Sequence, residues 1–173
     1  MSEESLVTSD AQERPSVAQN SATAKPSGLN IANIQKVRDH IAALPPERFD
    51  LSHWFFDPSA SSFGWNHADW LGVTNAQALH GSCGTCGCIA GHALAALAPD
   101  DAVPASPGFA AAQLLQLSTE QRYDLFEPDP GTGLSIARSD VSRDQAVAVL
   151  DHLIATGEVD WSIIDTKAEG RDQ

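Results

Sequence analysis

Three cysteines and two histidines fall within the thirteen residues His80-Gly81-Ser82-Cys83-Gly84-Thr85-Cys86-Gly87-Cys88-Ile89-Ala90-Gly91-His92, and no other cysteine occurs in the chain. Thiolates and imidazoles are the donor set of tetrahedral zinc. Cys83, Cys86, Cys88 and His92 therefore form a candidate metal site, with His80, His67 or His53 as substitutes. The same stretch offers a candidate nucleophile, because a thiol in the first turn of a helix is ionised more easily by the helix dipole. A third role is structural, since a buried cysteine packs as a small apolar side chain.

Which chemistry is open depends on how these residues are positioned. The turn Gly81 to Gly84, followed by small and apolar residues as far as Leu97, reads as a tight loop entering a buried helix that Ser82 or Thr85 caps. Such a helix places Cys86 in its first turn and sets Cys88 and His92, four residues apart, on one face. It also turns Cys86 and Cys88 about 200° from each other, which disfavours a site that needs both. Gly87, Gly91 and Ala95 recur every fourth residue as a ridge with almost no side chain, against which another helix can approach closely.

The pattern Cys83-Gly84-Thr85-x-x-Cys88-Ile89-Ala90-Gly91-His92-Ala93 is preceded by Leu44-Pro45-Pro46-Glu47-Arg48-Phe49-Asp50. It is followed by Leu114-Leu115-x-Leu117-Ser118 and Gly157-x-Val159-Asp160-Trp161. Together these resemble a group of small uncharacterised proteins of bacteria and their phages, over roughly residues 30 to 161. The resemblance implies a compact helical fold and a mobile-element or accessory setting, and lends no activity. Its recurrent cysteines match Cys83 and Cys88, while Cys86 falls on a variable position. A shorter match, Gly81-Ser82-Cys83-Gly84-Thr85-Cys86, resembles the active-site turn of papain-like proteases and would make Cys86 the nucleophile. In that turn the family has an aromatic residue where Gly87 stands and an oxyanion-stabilising glutamine where His80 stands. Its histidine follows about 130 residues downstream, whereas 87 residues remain here and the last histidine is His152.

Elsewhere the chain reads as helices. Asn30 caps a run in which Ile31, Ile34, Val37, Ile41 and Leu44 recur at helical spacing until Pro45-Pro46. Phe49, Trp54, Phe55, Phe56, Phe63, Trp65 and Trp70 form an aromatic, irregular cover for the core. Phe109 to Leu117 is a short helix. Ser118 and Gln121, then Ser142 and Gln145, have the spacing of capping boxes that open two more. The first carries Tyr123, Leu125 and Phe126 inward until Pro128. The second carries Ala146, Val147, Leu150, Leu153 and Ile154, and stops at Gly157, after which Trp161 packs back. The expected fold is all-α, an irregular bundle of about five helices around a small-residue central helix. It occupies residues 29–165 between flexible tails at 1–28 and 166–173.

The formal charge of −13 divides as −2 over residues 1–28, −11 over 29–165 and zero over 166–173. This acidity disfavours direct nucleic-acid binding and anionic membranes, and suits a basic protein partner. Asp124, Glu127, Asp129, Asp140, Asp144 and Asp151 are the candidate partner-binding residues. No apolar run approaches the ~20 residues of a membrane span, the cysteine spacing is poor for a disulfide framework, and the start lacks the basic and apolar regions of a signal peptide, so the expected compartment is the cytoplasm. Phosphate loops, paired metal-binding carboxylates and hydroxyl-histidine-acid turns are not evident. The reading reached from sequence is a non-enzymatic, acidic, protein-binding helical module without cofactor. The alternatives are a zinc-binding protein and a thiol hydrolase using Cys86 and His152.

Overall fold

The computed structural model describes residues 28–55, 72–80 and 86–164, without the side chains of His80 and Pro130. Expectations about the two tails, Phe56, Phe63, Trp65, Trp70, His67, Ser82, Cys83, Thr85 and the His80 side chain lie outside the described residues. The fold is all-α. Among the described residues there are six α-helices: α1 (Ile31–Ala42), α2 (Asn75–His80), α3 (Ile89–Leu97), α4 (Pro107–Leu115), α5 (Thr119–Phe126) and α6 (Arg143–Thr156). Two isolated bridges, Phe49 with Gly87 and Thr74 with Ala102, stand in place of a sheet.

The helices begin and end where local chemistry satisfies free backbone groups. The Asn30 side chain accepts from the Asn33 amide, and Ser118 and Ser142 each complete a capping box with Gln121 and Gln145. Gly157 closes α6 in the left-handed conformation, φ 82°, which costs a residue without Cβ little. A third capping pair opens α2: the Thr74 amide donates to Gln77 Oε1 at 2.9 Å, and the Gln77 amide donates to Thr74 Oγ1 at 3.3 Å.

At the centre lies α3, whose residues Ile89 through Ala95 are all buried. It packs on α1, α2 and α4, while α1 packs on α6 with its buried face of Ile34, Val37 and Ile41. Arg38 joins α1 to α6 through both oxygens of Asp151, at 2.8 and 3.0 Å, and Arg143 donates to the Leu44 carbonyl. Trp161 is fully buried, and its indole N–H donates to the Asp124 carbonyl at 2.6 Å, which fixes the chain after α6 against α5. Tyr123 is 49% exposed rather than turned inward, with the Arg122 guanidinium 3.9 Å from its ring centroid. On so short a helix, Leu125 and Phe126 take the buried face.

Candidate functional site

The central helix starts later than its composition suggests. It begins at Ile89 with Cys88 as N-cap, so Cys86 is not in its first turn. The cause is an irregular strap, residues 48 to 55, that leaves the 3-10 turn Pro46–Arg48, turns again at Leu51 and Ser52, and lies against the start of α3. The Gly87 amide donates to the Arg48 carbonyl at 3.2 Å, the Asp50 amide to the Gly87 carbonyl at 3.2 Å, and the Cys88 amide to the His53 carbonyl at 2.7 Å. These bonds hold Cys86 and Gly87 extended, and the Arg48 guanidinium adds a bond to the Leu79 carbonyl at the end of α2.

The glycine ridge receives this strap and not a helix. A Cβ on Gly87 would lie 2.8 Å from the Trp54 carbonyl oxygen and 2.9 Å from Leu79 Cδ2. One on Gly91 would collide with the same oxygen and stand 3.3 Å from the Phe55 ring. The Trp54 ring continues onto α4, where a Cβ on Gly108 would be 2.7 Å from its Cη2, and it meets Phe126 edge-on at 6.4 Å.

Both described thiols are consumed by packing. Burial is the main cause that pushes the Cys86 thiol up, with the charge of Asp50 adding to it. Burial pushes Cys88 up to about 11, although the Gly91 and Ala90 amides work the other way. A nucleophile or a zinc ligand needs a thiolate at neutral pH. These surroundings favour the thiol. His152, the last histidine of the chain, stands on α6, where its charge bears on Asp160.

His92 is 1% exposed and is tied on both sides. Its Nε2 lies 3.1 Å from the Arg48 carbonyl oxygen, which can only accept, so Nε2 carries the proton. In the neutral ring Nδ1 is then an acceptor, and His40 Nε2, 3.2 Å away, donates to it. Phe49 stacks on the ring at 6.3 Å and 17°. His92 thus links α1, the strap and α3, with both ring nitrogens committed to this link. The loop geometry removes the angular objection to Cys86 and Cys88 as joint ligands. Even so, no group of three or more His, Cys, Asp or Glu side chains is placed to hold a metal ion among the described residues.

A second polar group, not found from sequence, is Asp50, Ser52 and His53. Asp50 Oδ1 accepts from the Ser52 amide at 2.8 Å and from the Ser52 hydroxyl, and Oδ2 lies 2.9 Å from His53 Nδ1. Burial works against the Asp50 carboxylate, but the Ser52 and His53 hydrogen bonds outweigh it and hold it below the usual range. Ser52 Oγ and Asp50 both meet His53 at Nδ1. A serine activated for attack instead meets the ring nitrogen opposite the one its acid holds. The short spacing Asp50-x-Ser52-His53 was the available signal, and it marks a turn closed by its own side chains. Ser52 and His53 line a polar cavity of about 190 Å³ with Cys88, Glu127 and Arg138.

The expected acidic patch divides in two. On α6, Asp151 is held by Arg38 and Asp144 by Arg143 at 2.8 Å. At the end of α5, Asp124, Glu127 and Asp129 have no salt bridge among the described residues. Burial raises the Asp124 carboxyl above its ordinary value, and the like charges of Glu120 and Asp129 raise it further. Asp129 also accepts from the Gly131 amide at 2.7 Å, and Asp140 is exposed beside Ser139.

With this geometry the chain defines an all-α protein whose motif residues tie a strap to a central helix. No family model, curated protein or solved structure matches it. Among the described residues no helix is long and apolar enough to cross a membrane.

Proposed function

We propose that this chain is a non-enzymatic helical module that binds a basic protein surface through the carboxylates at the end of α5. The observation that carries the reading is a carboxylate group without a counter-ion: burial raises the Asp124 carboxyl, the like charges of Glu120 and Asp129 raise it further, and no cation stands in salt-bridge reach of it among the described residues. Concentrated, uncompensated charge speeds encounter with the opposite charge and is relieved by it. The thiols and His92 support the same reading, because their protons and lone pairs serve packing and the strap. The working compartment is the cytoplasm and the setting a bacterial or phage accessory one, carried by the Cys83 to Ala93 motif.

Lysines replacing Asp124 and Glu127 test the reading. Both sites lie at the C-terminal end of α5, where positive charge suits the helix dipole, so the fold should tolerate them. A pull-down from bacterial lysate should identify a basic protein retained by the wild type at low salt. The double variant should bind it with an association rate at least ten times slower, at an unchanged melting temperature. An unchanged rate and salt dependence would remove this surface from consideration.

A further inference from the structure

A cleft on the far side of α3 has a chemistry the preceding reading does not use. It holds about 280 Å³ and is walled by Leu94, Ala98, Pro104, Ala110 and Leu114, with Asn75, Asp101 and Gln113 as its polar members. Asn75 is 1% exposed. Its amide nitrogen donates to the Ala98 carbonyl at 2.8 Å, and its backbone N–H donates to the Asp101 carbonyl at 2.9 Å. Its Oδ1 is buried and has no hydrogen-bond partner. Turning the amide over would set oxygen against oxygen at Ala98, so the unpaired atom is fixed as an acceptor. Buried polar atoms are rarely left unpaired, and one beside a cleft points to a missing donor.

Asp101, exposed at the rim, adds a carboxylate, and no lysine or arginine lines the space. The cleft therefore combines apolar walls with acceptors at one side. Its volume falls just below the ~300 Å³ at which pockets for drug-sized ligands begin. We infer that it binds a primary alkylammonium group on a short apolar stem. The stem lies against Leu94, Ala98, Ala110 and Leu114, and the ammonium binds Asp101. The Asn75 amide is sealed when the cleft is empty, and it gains its donor as the rim opens around the ligand. Either a free small amine or a lysine side chain of another protein carries this chemistry. The cleft involves α2, α3 and α4, so the inference stands apart from the acidic end of α5.

The test is a methyl and side-chain amide NMR titration of the full chain with n-butylammonium chloride, n-butanol and Nα-acetyl-lysine N-methylamide. The expected result is saturable shifts of the Leu94 and Leu114 methyls and the Asn75 amide with butylammonium, at least fivefold tighter than with butanol. Asp101→Asn, which keeps the backbone bond to Asn75, should weaken butylammonium at least fivefold and leave butanol unchanged. Ala110→Leu should fill the cleft and abolish the shifts while the remaining spectrum stays that of the folded chain. Tighter binding of the lysine derivative would assign the source as a protein side chain, and binding of butylammonium alone a free amine. Equal binding of butanol and butylammonium, or no saturable shift with either amine, would overturn the inference.

Discussion

Replacing Gly91 by alanine sets two effects of opposite sign against each other. In an open helical position the change stabilises by about 1 kcal/mol, because glycine gives up more backbone entropy on folding. Here the added methyl is driven into the Trp54 carbonyl oxygen, a backbone atom that cannot rotate aside, with the Phe55 ring 3.3 Å away. Overpacking of this kind costs about 1–3 kcal/mol. Relief by moving the strap would stretch the bond from the Cys88 amide to the His53 carbonyl, now 2.7 Å, and the pairing of Gly87 with Arg48 and Asp50. Because the obstructing atom is backbone, the collision falls at the upper end of that range and exceeds the propensity gain, leaving a net loss of about 2 kcal/mol, or roughly 4–8 °C in melting temperature for a domain of this size. Urea and thermal melts measure the loss, and faster amide exchange at Cys88 should accompany it. A variant that melts at or above the wild type would show that the strap does not lie on Gly91 and would undo the account of this site.

Two further outcomes follow from the same region. The Cys88 thiol is pushed up to about 11 against 9.0 when unburied, so its stabilising effect is complete below pH 9 and is lost as pH rises toward 11. That loss amounts to about 2–3 kcal/mol. Urea melts at pH 7 and pH 10.5 should show a steeper decline for the wild type than for Cys88→Ala, and native Cys88 should resist alkylation at pH 7. Nitrogen-15 spectra at neutral pH should show His92 protonated at Nε2 and bare at Nδ1. A His40→Ala variant should disturb the Nδ1 signal and leave Nε2–H in place, and the opposite tautomer would contradict the link to the Arg48 carbonyl.

Where a helix end is written in side chains, the sequence shows it. Asn30, Ser118 with Gln121, Ser142 with Gln145, and Gly157 all act as their types and spacing imply. Thr74 with Gln77 carries the same information for α2, but the helix it opens is only six residues long and too short to show a period. The start of α3 was not legible, because Cys86, Gly87 and Cys88 are small enough for loop, strand or helix. The choice among them rests with Arg48, Asp50 and His53, more than thirty residues earlier. The partner of His92 was hidden for a similar reason. His40 sits on the inner side of α1, and only the packing of α1 on α3 brings the rings within 5.3 Å.

The pairing of α1 with α6 bears on the birth of the molecule at the ribosome. The face of Ile34, Val37 and Ile41 emerges early, but Leu150 and Leu153 on α6 follow more than a hundred residues later, and Trp161 later still. Synthesis at about 5–20 residues per second leaves several seconds in which that face has only partial cover. The nascent chain must pass this interval as an unfinished core, exposed to chaperones and proteases, before its last helix closes over its first.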